Sequence, residues 1–425
     1  MDRDAGRVRG RAVRHVSGNP ALRKAPGFAF FLGVLLAGQT LGTMATMILP
    51  AVAPKVAETY GVHSSLIGYQ ISLLAVAMLV SLVFGGNLSV RWGACRTTQV
   101  GLSLLIAGCL IATAPHIVFF FLSAIGLGLG YGMITPSASH LLMRFTPAKR
   151  RNLIFSVKQS GVPLGGIGAA LITPSVALAF GWQWAMAGNA LMLLLLIFML
   201  QRARAYWDDD RQPEAKMVAN PFGGIATIWN HPALRLMSIA GGCFVIVQIC
   251  MSTFTVVLFA EEMHLGLVQA GLILTASQVG GVMGRMFWGW LADLARNCFT
   301  VLSVLAAVML AASLLCLAIT PSWPILASCA LFFIFGSTAS GWNGAFLAEV
   351  ARLSPREAVS RATGGSLFFV NIGKMIGPIA FANAYFIGGS YTLAFGLLAI
   401  PAGAGLVCLL AARGKQPQNT AGEGL

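Results

Sequence analysis

Charge is what this sequence has least of. Only 10% of its 425 residues are charged, and only 13 are Asp or Glu, where a soluble domain carries about 25% charged residues. A chain this short of charge and 57% hydrophobic is not a soluble α/β protein. Its eight cysteines lack metal-ligand spacing and are expected to be free thiols. No nucleophile–base set appears, so neither an enzyme nor a cofactor is expected. The glycine-rich stretch Gly126-Leu-Gly-Leu-Gly130-Tyr-Gly132 follows no strand and lies inside an apolar run. It is therefore helix packing and not a nucleotide loop, and ATP drive is not expected. The first apolar run has no small-residue cleavage site behind it and is expected to act as an uncleaved signal anchor. The Arg-rich residues before it, 1–27, are expected to form a disordered basic tail on the cytoplasmic side.

Long apolar runs are what the chain does have. A spanning helix needs about 20 apolar residues. Twelve such runs lie at about 28–49, 65–86, 98–114, 116–143, 152–179, 183–203, 233–260, 267–292, 299–319, 323–349, 361–388 and 391–412. The expected fold is all-α and integral to the membrane, with twelve transmembrane helices. The net charge of +15 is a matter of topology, and no nucleic acid is expected. With the N-terminus inside, the Lys and Arg outside the spans all fall on the cytoplasmic side except Lys55. That is the positive-inside pattern, with some attraction to anionic lipid. It predicts cytoplasmic N- and C-termini.

The two halves repeat. Glu58 and Gly68 recur as Glu261 and Gly271, both at an offset of 203, and Gly86 recurs as Gly289 at the same offset. Arg144-Phe-Thr-Pro147 recurs as Arg352-Leu-Ser-Pro355, and Pro163 as Pro378. The pattern predicts two pseudo-symmetric six-helix bundles, 28–205 and 232–412. A polar linker at 206–231, read as a solvated cytoplasmic connector, joins them, and a short tail follows at 413–425.

Loop motifs sharpen this. Gly86-Asn-Leu-Ser-Val90-Arg91-Trp92-Gly93, then Arg96, stands between the second and third runs, and Gly289-Trp-Leu-Ala-Asp293, then Arg296, stands between the eighth and ninth. The chain resembles the major facilitator superfamily of secondary transporters over about residues 28–412. That family's loop motif carries a carboxylate that caps a helix and pairs with arginine, a charge lock of one conformation. Val90 stands at the carboxylate position of the first loop, and the glycine after Asp293 is missing from the second. The lock is complete in neither. Gly161-Val-Pro163-Leu-Gly165-Gly166 resembles the family's glycine–proline motif of the fifth helix. Gly161, Gly165 and Gly168 share about one helical face, which allows close packing. Pro163 leaves the carbonyl of Gln159 without its helical donor, and Pro378 does the same to that of Lys374.

The candidate site follows from an imbalance. Lys158, Arg285 and Lys374 lie within the runs, and no Asp or Glu lies in their interior; Glu58, Glu261, Glu262, Asp293 and Glu349 stand near the ends. A buried cation without a carboxylate needs another anion, loses its proton or reaches water. Arginine does not usefully lose its proton. By helical rise, Lys158 lies roughly 9 Å and Arg285 roughly 10 Å from the cytoplasmic end, with Lys374 nearer the midplane. The resemblance implies that helices two, five, eight and eleven line the interface between halves. It also implies that the halves rock around a central site. An arginine in helix eight with a lysine in helix eleven is similar to oxalate:formate exchangers, and Arg285 resembles the helix-eight arginine of monocarboxylate transporters. Gly281 stands where the latter carry an aspartate.

The expectation is a secondary transporter of a small organic anion, a carboxylate, in the plasma (inner) membrane. Lys374 and Arg285 would neutralise the anion's charge, and Lys158 would assist. Gln159, Asn371, Gln39, Tyr131, Gln248 and Asn343 would line the site, with Thr43, Gln278 and Trp342 as further candidates. Gly86, Arg91, Gly93, Gly289, Asp293, Arg296, Gly161, Pro163, Gly165 and Pro378 would serve gating and packing. A proton or a counter-substrate would couple the flux, and the protein is expected to be a monomer. The alternatives are an exporter of neutral or cationic compounds and a transporter-like receptor that binds without moving its ligand.

Overall fold

The computed structural model describes residues 27–147, 150–214, 223–295, 297–354 and 359–414. Among them there is no strand. Twelve helices are long and apolar enough to cross a membrane: Phe28–Ala51, Ser64–Leu82, Ala94–Ala112, Ile117–Phe145, Val157–Ala179, Trp182–Trp207, Pro232–Glu262, Leu267–Ala292, Cys298–Ala318, Ile325–Leu353, Ala362–Gly388 and Tyr391–Arg413. They are called the first to twelfth spans below. The first begins, and the twelfth ends, at the basic end of the bundle; the other end is called the far end.

Spacing of small residues explains how these helices approach one another. In a membrane, apolar side chains gain little from leaving lipid for protein, so close backbone contact carries much of the association. The run Gly126–Gly132 divides into two opposite faces. A side chain on Gly126 or Gly130 would strike the third span at Gly108 and Gly101; one on Gly128 or Gly132 would strike the second at Leu74 and Met78. Gly161 and Gly165 do the same for the fifth span, against Leu36, Gln39 and Thr40 of the first. The second half repeats the device. Gly280 and Gly284 of the eighth span lie against the carbonyls of Phe333 and Ser337 in the tenth, and Gly336 returns the contact to Ser277.

Two pairs of spans make the main contact across the halves, the second with the eleventh and the fifth with the eighth, and the seventh also touches the first and second. At the far end the seam is closed. Gly68 lies against the carbonyl of Pro378, and Gly271 against that of Ala170. Ser64 donates to Glu261, Tyr69 to Asn383 at 2.7 Å, and the N–H of Ile379 to Ser72 Oγ at 3.2 Å. The last bond follows from Pro378. Its ring disturbs the helical ladder, and the adjacent N–H turns to a hydroxyl of the other half.

The linker departs from the expected solvated connector. Asp208 is only 7% exposed. Gln212 donates its N–H to the carbonyl of Val90 at 2.8 Å. Arg144 pairs with Asp209 and, at 3.0 Å, with Asp210, while His140 Nε2 lies 2.8 Å from Asp210. The acidic run is docked on the first half because basic groups at the ends of neighbouring helices offset its charge. Further on, Gly223–Trp229 forms a short helix packed on the eleventh span. Lys216 lies outside the described residues.

The glycine contacts make a sharp contrast testable. A Cβ on Gly336 or Gly284 would fall 2.0 or 2.1 Å from a backbone oxygen, whereas one on Gly188 meets open space. Gly336→Ala and Gly284→Ala are expected to cost about 1–3 kcal/mol each, the usual cost of overpacking. They should lower the midpoint of thermal unfolding in detergent, and Gly188→Ala should leave it in place.

Candidate functional site

The fifth span is broken where the site begins. A helix over Arg151–Gln159 ends, and a second starts at Gly161. Pro163 therefore sits in a first turn, where its missing N–H removes no bond of the new helix. Lys158, at the end of the first segment, is 2% exposed. Its Nζ donates to Gln39 Oε1 at 2.5 Å and to Gln159 Oε1 at 3.2 Å. These bonds keep it inside and not drawn toward the headgroups. Gln39 passes the chain on: its Nε2 donates to the Tyr131 hydroxyl at 2.9 Å, and Thr43 Oγ1 lies 3.1 Å from the same hydroxyl. Side chains of the first and fifth spans thus hold one ammonium with neutral oxygens, and Tyr131 of the fourth orients Gln39 behind them.

Arg285 reaches this group from the second half. Its Nε donates to the Ser340 carbonyl at 3.2 Å, and its Nη1 lies 3.5 Å from the carbonyl of Gln159. That carbonyl is the one Pro163 deprives of a helical donor. The proline of one half leaves an acceptor that the arginine of the other half takes up. Arg285 lies within electrostatic range of both Tyr131 and Lys374, so the third cation belongs to the same neighbourhood. Lys374 is half-buried. Among the described residues no salt bridge joins Lys158, Arg285 or Lys374 to a carboxylate. Lys158 is held by two amide oxygens and Arg285 by two backbone carbonyls, so these cations are supported by neutral groups at membrane depth.

The other candidates fall into place unequally. Asn343 Nδ2 donates to the Ser340 carbonyl at 3.2 Å and lies 3.5 Å from Gln248 Oε1. Ser340 thereby ties both to Arg285, a link carried by a backbone atom and invisible in side-chain chemistry. Gln278 lies against Gly166 across the seam, with its Nε2 3.4 Å from Ser252 Oγ. Asn371 turns back to Leu367 O at 2.8 Å, one turn before Lys374. Trp342 does not line the site. It is 1% exposed, packed between Phe244 and Phe346, with its indole N–H on Ala339 O at 3.0 Å.

The loop motif holds a residue the sequence pattern missed. The carboxylate absent at Val90 is supplied by Asp208, from beyond the sixth span. Asp208 Oδ1 accepts the N–H of Cys95 at 2.7 Å and Oδ2 that of Arg96 at 2.9 Å. These are orphan donors at the start of the third-span helix, so Asp208 caps it from another element. Gly93 makes the turn at φ 96°, and a side chain there would overlap Asp208. The signal was a carboxylate next to the arginine-rich end of the sixth span, too far along the chain from Cys95 for spacing to reveal. The first half therefore has a helix-capping carboxylate at this loop, supplied by a different residue. In the second half Arg296 lies outside the described residues, as does the side chain of Asp293. Gly86 stands within the helix Ile67–Trp92, while a side chain at Gly289 would meet open space, so packing does not require glycine there.

Comparison with known proteins agrees with this architecture. The family profile of the Major Facilitator Superfamily matches residues 34–378. The chain is 24% identical over 409 residues to the 4-hydroxybenzoate transporter PcaK of Acinetobacter baylyi, covering 86% of each. It is 24% identical over 399 residues to a gallate transporter of Pseudomonas putida, covering 86% of this chain and 87% of that one. A solved structure of a peptide transporter POT in complex with sulfate superposes with a TM-score of 0.69 at 16% identity, covering 91% of this chain and 93% of that chain; it is a likeness of fold.

The Asp208 cap has a pH signature. Burial pushes its carboxyl above the ordinary range, while the N–H groups of Cys95 and Arg96, and Arg204, pull it back. A carboxyl raised on folding favours the protonated form. Its contribution to stability is greatest below the unfolded value of about 4 and declines as pH rises through the folded value. Asp208→Asn is expected to flatten that decline. Asp208→Ala should cost about 1 kcal/mol, the usual loss of a cap, with both effects read from thermal unfolding in detergent at stepped pH.

Proposed function

We propose that this chain, which belongs to the major facilitator superfamily, carries a small organic anion, a carboxylate, across the membrane by alternating access. One observation carries the reading: Lys158, Arg285 and Lys374 gather at the seam between the halves with no acidic partner among the described residues. A carboxylate entering there satisfies charges that the protein leaves with neutral oxygens. Arg285 offers a planar fork suited to a carboxylate, Lys374 a mobile ammonium, and Lys158 a positive charge already held by Gln39 and Gln159. The names of two relatives that the chain matches over most of its length, a 4-hydroxybenzoate transporter and a gallate transporter, support an aromatic carboxylate as the first compound to try.

The basic end is assigned to the cytoplasm, in a plasma (inner) membrane, on the distribution of Lys and Arg. With that orientation the far-end closure through Ser64–Glu261, Tyr69–Asn383 and Ser72–Ile379 shuts the site from the outside. Those contacts would have to part for the opposite state. A proton or a counter-substrate completes the cycle.

Uptake of labelled 4-hydroxybenzoate into proteoliposomes tests the reading. Saturable flux is expected, with Lys374→Ala and Arg285→Ala each lowering it by at least about 30-fold, the scale of losing a buried charged partner. Lys158→Ala is expected to lower it less, since its neighbours stay in place. Normal flux in both Lys374→Ala and Arg285→Ala would refute the anion site, and binding without flux would favour a receptor.

A further inference from the structure

At the basic end of the first half, away from the seam, a second positive site stands open. The end of the second-span helix, the start of the third and the end of the sixth enclose a cavity of about 450 Å³. Arg91, Arg96, Arg204 and Arg211 line it, beside Trp92. The nearest carboxylate, Asp208, lies 3.8 Å from Arg204 Nε, but both its oxygens already accept backbone N–H bonds. Asp209 and Asp210 are drawn away to Arg144. Four guanidinium groups thus line one cavity, with Asp208 beside Arg204.

The cavity does not end at the surface. A groove of about 420 Å³ adjoins it, sharing Arg96 and Val100, and runs between the third and sixth spans. Ser103, Leu104, Ile197 and Phe198 line the groove. On the third helix Arg96, Val100 and Leu104 recur every four residues. On the sixth, Ile197, Gln201 and Arg204 follow at intervals of four and three, which keeps them on one face. Each helix therefore presents one stripe, charged toward the basic end and largely apolar below. From Arg96 to Leu104 the stripe descends about 12 Å, most of the roughly 15 Å depth of one leaflet's hydrocarbon.

We propose that this cavity and groove form a binding site for an anionic phospholipid, with the phosphate among the four arginines and one acyl chain along the groove. Guanidinium forks match phosphate oxygens in pairs. A soluble anion would use the cavity and leave the groove empty, and a zwitterionic lipid would bring a second positive charge into a basic pocket. Trp92, 37% exposed beside the cavity, has the amphipathic ring that settles at headgroup level. Arg91, Arg96, Arg204 and Arg211 flank the Gly93 turn and the Asp208 cap, so the bound headgroup would brace that turn. The site lies within the first half and stands whether or not the seam carries an anion.

Native mass spectrometry of the full-length protein in detergent tests this, with phosphatidylglycerol and phosphatidylcholine of identical chains. The protein is expected to retain phosphatidylglycerol over phosphatidylcholine. Arg211→Gln and Arg96→Gln should each reduce that retention about fivefold, and Val100→Trp, which fills the groove, should reduce retention of both lipids. Excess glycerol 1-phosphate, the headgroup without chains, should not displace the lipid. Equal retention of the two lipids would overturn the proposal. So would unchanged retention in the Arg96→Gln/Arg211→Gln double variant, or displacement by glycerol 1-phosphate, which would assign the cavity to a free phosphate. Unfolding midpoints without added lipid separate lost binding from lost folding. Arg211 stands outside any helix, so its variant remains informative if the Arg96 variant fails to fold.

Discussion

Positive charge held at membrane depth without negative charge is the constraint on which this structure turns. Each buried cation is expensive, and the protein supports them with dipoles alone. Lys158 rests on two glutamine oxygens, and Arg285 on two backbone carbonyls. Such support holds the cations in place without neutralising them. The proposed anion would complete the site from both halves at once. The same site would then bind the halves together when full and leave mutual repulsion between Arg285 and Lys374 when empty. A carrier needs that difference between its loaded and unloaded states.

Glycine and proline place these charges. The glycines bring the fifth span against the first and the eighth against the tenth, so Lys158 and Arg285 stand on backbones with little freedom to shift. Pro163 and Pro378 act at corresponding places in the repeat but to different ends. One exposes the Gln159 carbonyl to Arg285 inside the site. The other lends its neighbour's N–H to Ser72 at the far-end closure. Repeated sequence has thus been put to unequal use, once at the site and once at the seal.

Much of this was legible in the sequence. The spans could be read because twelve apolar runs in so uncharged a chain admit one solvent. The three cations could be read because a charge inside such a run is conspicuous wherever it faces. The split of Gly126–Gly132 into two packing faces follows from helical periodicity alone. What escaped was pairing between distant elements. Asp208 looked like one of three solvated acids because nothing near it in the chain marks Cys95 and Arg96 as its partners. Ser340 escaped because its contribution is a carbonyl, which every residue possesses. Trp342, a further candidate, packs away from the site because an acceptor three residues earlier in its own helix satisfies its indole N–H.

Recognition of negative charge at the seam is the proposal on which the transport reading rests. The most direct measurement is calorimetric titration of the purified protein with 4-hydroxybenzoate and with 4-hydroxybenzamide, which differ in charge and little in shape. The acid is expected to bind at least about 30-fold more tightly than the amide, the scale of a buried charged contact. Arg285→Ala together with Lys374→Ala should erase the preference. Equal affinity for the two compounds in the unaltered protein would contradict the proposal.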